Sequence, residues 1–507
     1  MRRSESFVLL KNAVANVARG SSAAIVAVAL PPFLTRLMST ESYGAWSLVL
    51  QLSAYVGYLD FGLQTAVGRF MAYATEKRDE RHRDRIVSTS LAALVIAGVC
   101  GLLAIAGGAA ALPHVFRQMP LGLVRQTRLA FVLVGSSLAV GLPASVFNGV
   151  FVGLQRYEVP AVIVGGSRII TAILLVLMVK DGGNLVTLAA VTAAVNIAAY
   201  CFQYLMYRKL APVIRLSPSL VSRETGRELF NYCTSLTVWS FATLLVTGLD
   251  LFLVGIFDFH AVAYYTVAAT LIAFILGLQN AIFGVLIPRA AVLGARQQPT
   301  ELGKLLISST RLGMLFLLAS GMPLLVATRP ILSFWLGHLY AEKTFVILRV
   351  LVAANIVRLS ALPYAMLLIG TGQQRLVTVT PLVEGTSNLI VSVVAGALFG
   401  AIGVAIGTAV GSVIGILCNF FYNLPRTQVI SVDTIEYLKD GLLRPSACLV
   451  PWVTVIIFEW LLPNSAGVLR NQLLALTTFC TLITIWLFGL TEVQRSRLLT
   501  RLRLVGQ

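Results

Sequence analysis

Of the 507 residues, 57% are hydrophobic and only 12% are charged, and the mean hydropathy is +0.85. A soluble chain carries about 25% charged residues, so this composition leaves too little polar surface to solvate a globule; it argues against a soluble enzyme, a nucleic-acid-binding protein and a disordered chain alike. The formal net charge of +18 would suggest DNA in a soluble domain, but a polytopic membrane protein concentrates Lys and Arg in its cytoplasmic loops.

A bilayer core of about 30 Å needs about 20 apolar residues per helix. On that basis fourteen spans are predicted, at 12–37, 43–72, 86–112, 126–153, 159–179, 184–207, 228–257, 260–287, 302–327, 344–369, 376–399, 402–424, 441–462 and 469–490. Aliphatic runs of this length predict helices, because barrel strands are about ten residues long and alternate. An even number of spans puts both termini on one side. With that side inside, the inner segments hold 24 Lys and Arg and the outer loops 7, so both termini are expected in the cytoplasm of a multi-pass inner-membrane protein. Met1-Arg2-Arg3 leads into a run without a small-residue cleavage site, so a removable signal peptide is not expected. The six cysteines lie in apolar runs with no CxxC and read as small hydrophobes.

Two segments repeat. Gly153-Leu-Gln-Arg156 followed by Gly166-Ser167 aligns, at an offset of 219, with Gly372-Gln-Gln-Arg375 followed by Gly385-Thr386. At a nearby offset, Tyr43-Gly44 at the start of span 2 matches Tyr264-Tyr265 near the start of span 8, again six spans on. A shift of six preserves the direction of entry into the membrane, which predicts parallel repeats about an axis along the membrane normal. The expected fold is therefore an all-α polytopic membrane protein of about fourteen helices. A six-helix bundle (1–209), a cytoplasmic linker (210–227), a second six-helix bundle (228–424) and two further helices with a basic tail (425–507) follow one another.

Three stretches carry a resemblance across nearly the whole chain. They are Pro32-Phe-Leu-Thr-Arg36 through Ser42-Tyr43-Gly44 to Tyr58-Leu-Asp60-Phe-Gly62, then Leu249-Asp250 with Gly255 and Ala263-Tyr264-Tyr265. The third and most specific is Gly370-Thr-Gly372-Gln-Gln-Arg375, Glu384-Gly385-Thr-Ser-Asn388 and Phe399-Gly400-Ala-Ile-Gly403-Val404-Ala-Ile-Gly407-Thr408. The chain resembles bacterial O-antigen and exopolysaccharide flippases of the multidrug/oligosaccharidyl-lipid/polysaccharide exporter superfamily. That resemblance implies a V-shaped pair of bundles moving an undecaprenyl-pyrophosphate-linked oligosaccharide to the outer leaflet, beside the polymerase and glycosyltransferases of the same pathway. It implies no cofactor.

Charges inside spans cost about 2.5–3.5 kcal/mol each even on the lenient scale. Arg69, Arg128, Arg349 and Arg444 lie near span ends, where snorkelling to headgroups accounts for them. Arg19, Arg168, Arg311 and Arg358 lie seven or more residues from either end, and a polar cavity is the better expectation there, with structural ion pairs as the competing one. Asn16 shares a polar stripe with Arg19, and Asn355 shares a helix face with Arg358 by i, i+3 spacing. The four deep arginines would form one cationic zone whose forked guanidinium groups suit a pyrophosphate. Two readings of Asp60, Asp250 and Glu384 stand side by side: coupling sites, or ion-pair partners, with Glu384 matched to Arg168 or Arg311. For Glu459 the ion-pair reading is expected.

No HExxH, P-loop, triad or metal spacing occurs, so neither catalytic residues nor a metal site are expected. The predicted function is a flippase. The alternatives are a cation-coupled multidrug antiporter of the same fold, whose cationic substrates the arginines would repel, and a membrane-bound glycan polymerase or ligase. The longest outer loop, 112–126, is too short to carry a catalytic domain.

Overall fold

The computed structural model describes residues 25–449, 451–452, 457, 467–489 and 495. Among them every regular element is a helix. Among the described residues, eight helices are long and apolar enough to cross a membrane: Glu80–Val115, Leu121–Gly153, Glu158–Lys180, Leu185–Leu210, Phe259–Ala295, Pro299–Val326, His338–Gly370 and Thr378–Arg426. A ninth candidate is the bent pair Arg223–Thr234 and Leu236–Gly248. The structure therefore gives an all-α, multi-pass membrane protein.

The chain divides into two compact units, Met1–Phe274 with Ser392–Val404, and Ile275–Val391 with Ala405–Gln507. The first holds α1 (Pro31–Leu37), α2 (Thr40–Ala54), α3 (Leu63–Glu76), α4 (Glu80–Val115), α5 (Leu121–Gly141), α6 (Ser145–Gly153), α7 (Glu158–Lys180), α8 (Leu185–Leu210), α9 (Arg223–Thr243), α10 (Asp250–Phe257) and most of α11 (Val262–Phe283). The second holds α12 (Leu286–Ala295), α13 (Pro299–Val326), α14 (Thr328–Leu336), α15 (His338–Leu359), α16 (Leu362–Gly370) and much of α17 (Gln374–Cys418). Compact packing thus runs past 209, and the expected linker belongs to the first unit. It lies along α4: Arg83 donates to the Val213 carbonyl at 3.1 Å, and Ser217 and Ser222 donate backbone N–H groups to Ser88 and Thr89 at 3.3 and 3.2 Å.

Helix starts follow local chemistry. Ser39, Asp79 and Asn184 each accept a backbone N–H of the helix they precede, at 3.2, 2.9 and 3.0 Å. In the first unit Trp46, Leu48, Met71, Ile86 and Phe151 form part of the buried core. In the second, Leu318, Met322, Val326 and Trp452 cluster, as do Ile275, Leu317 and Leu359.

Predicted span 43–72 is broken. A 3-10 turn, Tyr55–Asp60, separates α2 from α3, and Phe61 and Gly62 follow at φ 50° and 79°. A side chain at 62 would be strained by that φ, and its Cβ would fall 2.8 Å from Leu236. Predicted spans 11 and 12 are one run, α17, interrupted at Gly400 (φ 60°, ψ −137°). At about 1.5 Å per residue a straight helix of that length would overrun a single crossing. The reversal occupies the Phe399-Gly400-Ala-Ile-Gly403 motif, whose glycine at 400 adopts a conformation open to few other residues.

Gly62→Ala is expected to destabilise the detergent-solubilised protein by about 1–3 kcal/mol. Gly57→Ala, which has open space around its added methyl, should shift the thermal melt far less. Equal shifts would show that the left-handed turn carries no special cost.

Candidate functional site

Hydrocarbon offers no partner to a main-chain polar group, so each break in a span needs one from the protein. In the first unit the carboxylate of Asp60 supplies it. Asp60 accepts the Gln64 N–H at 3.3 Å in the first turn of α3 and the Ser145 hydroxyl at 2.9 Å from α6. A negative charge at a helix N-terminus is favourable. A second break, a π-helical stretch at Leu244–Gly248, ends on the Gly248 carbonyl. Gln51 donates to that carbonyl at 2.9 Å and Tyr55 donates to it as well. Two residues on, Asp250 opens α10 and accepts the Tyr265 hydroxyl at 3.2 Å.

The second unit holds two arginine sites. Arg358 on α15 donates to the Asn355 side chain one turn earlier, and Asn355 donates to the Leu351 carbonyl at 2.7 Å. Arg358 Nε lies 4.0 Å from Glu384 Oε1 of α17, both side chains about 90% buried. That separation is too long for a hydrogen bond, so the attraction is Coulombic. Gly415 leaves room for the carboxylate, since a Cβ there would lie 2.8 Å from Glu384 Oε2. Arg311 on α13 is 5% exposed. It donates to the Asp440 carbonyl at 2.8 Å and faces that residue's carboxylate at 3.8 Å. Arg444 shares the same carboxylate at 3.6 Å.

Arg358, Asn355 and Glu384 come together. Glu384 faces Arg358, a pairing that the sequence reading, with Arg311 as one example, did not name. Arg311 is packed away against Asp440. Asp60 caps a helix, and Asp250 holds a tyrosine. Arg168 is exposed on α7 of the first unit. Arg19, Asn16 and Glu459 lie outside the described residues. Asp440 was missed; Lys439-Asp440-Gly441 with Arg444 one turn on was the available signal. Gln51 and Tyr55 were missed too, although i, i+4 polar residues in a span mark one face. Among the described residues no group of three His, Cys, Asp or Glu side chains could hold a metal.

The family of polysaccharide biosynthesis proteins matches residues 9–293, more than half of the chain. The chain belongs to that family. A curated relative, the uncharacterized membrane protein EpsK of Bacillus subtilis (strain 168), is 25% identical over 248 residues, 47% of this chain and 48% of the relative. The chain thus matches about half the length of that relative. Among solved structures the fold is similar to that of the lipid II flippase MurJ in an inward closed conformation, with a TM-score of 0.65 at 13% identity, over 94% of this chain and 97% of that one. It is also similar to an inward-facing multidrug resistance transporter of the MATE family in the MOP superfamily, with a TM-score of 0.57 at 17% identity, over 80% of this chain and 99% of that one. A member of a polysaccharide biosynthesis family thus carries a transporter fold.

Removing one partner of a buried pair leaves the other uncompensated, at a cost of about 3–5 kcal/mol. Arg358→Gln and Glu384→Gln should each lower thermal stability strongly, and the double variant should lose less than their sum. Strict additivity in the double-mutant cycle would mean the two side chains do not couple.

Proposed function

We propose that the protein is a flippase that moves an undecaprenyl-pyrophosphate-linked oligosaccharide from the inner to the outer leaflet of the bacterial inner membrane by alternating access. The observation that carries this reading is the match to a polysaccharide biosynthesis family on a chain with a MOP transporter fold. A diphosphate joined to sugars cannot cross hydrocarbon unaided, since charge at the bilayer centre is costly. A protein that moves it must offer permanent cations, and Arg, which keeps its proton, is suited to this.

In this reading the deep arginines have different tasks. Arg168, exposed on its helix, with Arg19 and Asn16, contacts the pyrophosphate. Arg358, with Asn355, is held by Glu384 until the cargo's charge competes for it. Arg311 is a strut between α13 and the segment around Asp440. Asp60 keeps the first break of the first unit satisfied, and Asp250 holds Tyr265. Six-helix repeats with both termini in the cytoplasm, and a polymerase and glycosyltransferases as pathway neighbours, complete the proposal.

Depleting the protein should make lipid-linked oligosaccharide accumulate in the inner leaflet, as measured by leaflet-selective labelling. Arg168→Ala should reproduce the accumulation with the protein inserted at normal levels, and Arg168→Lys should relieve it in part. Depletion without accumulation would sink the flippase reading; normal export by the Arg168→Ala and Arg19→Ala variants would sink the arginine assignment alone.

A further inference from the structure

α3 begins just after the break at Phe61–Gly62 and buries one face, with Ala66, Val67, Met71 and Ala74. Its other face exposes Arg69, Tyr73 and Lys77, whose i, i+4, i+8 spacing aligns them. Both cations on this face sit over tyrosine rings. The Arg69 guanidinium lies 4.7 Å from the centroid of Tyr232 on α9, and the Lys77 ammonium 4.6 Å from that of Tyr73. Phe70 packs edge-on against Tyr232, with centroids 5.6 Å apart, which buttresses that ring.

Arg69 differs from the buried arginines of the second unit. Among the described residues, no carboxylate lies within ion-pair distance of it, and its recorded contacts are ring faces. Snorkelling accounts for its position near a span end but not for the stacking. A guanidinium held by its face keeps its in-plane N–H groups pointing outward, and five such donors match the oxygens of a phosphate bidentately. Eight residues of helix separate Arg69 from Lys77, a rise of about 12 Å. Two fixed cations with the 54%-exposed Tyr73 between them offer phosphates a charged anchor at either end and a sugar ring an aromatic surface. The basic loops assign this end of α3 to the cytoplasmic side, where an inner-leaflet lipid carries its phosphates.

We propose that the exposed face of α3, with Arg69, Tyr73 and Lys77, together with Tyr232 of α9, is the loading site for the diphosphate headgroup of the lipid-linked cargo. The proposal rests on the flippase reading and adds a site to it. Arg69 is the phosphate ligand, and Tyr232 is its positioning residue.

The test uses the full-length protein in nanodiscs with farnesyl diphosphate, farnesyl monophosphate and farnesol as probes. Arg69→Gln should weaken farnesyl diphosphate binding by about tenfold, the worth of a charge-assisted hydrogen bond, and leave farnesol binding unchanged. Arg69→Lys should fall between. Tyr232→Leu should cost about threefold, as loss of one cation–π contact predicts, whereas Tyr232→Phe keeps the ring and the affinity. A merely structural staple between α3 and α9 would instead lower thermal stability and affect all three probes alike, and that result overturns the proposal. If Arg69→Gln does not fold, Arg69→Lys and Lys77→Gln decide it: diphosphate affinity unchanged in both overturns it. Wild-type protein that binds farnesol as well as farnesyl diphosphate would refute the flippase reading itself. Loss of diphosphate binding in Arg168→Ala but not in Arg69→Gln would refute only the loading site.

Discussion

Hydrocarbon supplies neither a hydrogen-bond partner nor a counter-ion, and most of what is distinctive in this protein follows from that. The spans are not continuous rods. They break at Tyr55–Gly62, at Leu244–Gly248 and at Gly400, and each break frees backbone groups that water would satisfy in a soluble protein. Side chains do so instead. Asp60 and Ser145 close the start of α3, and Gln51 and Tyr55 converge on the Gly248 carbonyl. Across the Gly400 reversal, Ser392 ties the two arms together by donating its hydroxyl to the Val404 carbonyl at 3.2 Å.

The same constraint sorts the arginines. In the second unit Arg311 and Arg358 are buried and each is tied to an acid, Asp440 and Glu384. Such pairs are weak sources of stability compared with apolar residues of similar volume, because desolvation offsets most of the attraction. What they do provide is geometry: Arg311 fixes the segment around Asp440 to α13, and Arg358 fixes α15 to α17. The glycine at 415 belongs to the same device, since a larger residue would push the Glu384 carboxylate away from its partner.

Much of this was legible in the chain before any coordinates. Apolar run length located the long helices, among them 86–112, 159–179, 184–207 and 302–327, each matched by one helix in the structure. Helical spacing paired Asn355 with Arg358. The division expected between spans 11 and 12, at 400–401, coincides with the break at Gly400. What spacing within one helix cannot give is the rotation of that helix against another, so the pairing of Arg358 with Glu384 was not named and Asp440 was overlooked. Breaks were illegible for a related reason. The run 43–72 is mostly apolar, and Gly57, Asp60 and Gly62 were the signs that it would not continue. The first unit runs past the boundary expected at 209, because a boundary read from sequence follows connectivity, whereas compactness records which faces pack.

An arginine already locked to a carboxylate cannot also hold a cargo's phosphate without first giving up its partner, and inside a bilayer that exchange exposes a bare charge. Binding and bracing are therefore served best by different residues. The family match, residues 9–293, covers most of the first unit, and there Arg69 is exposed. Arg69 is steadied by aromatic rings rather than by an acid. A ring face holds a cation in place without neutralising it, so the charge stays available to an incoming anion. That is the physical difference between an arginine that braces a membrane protein and one that can meet a substrate.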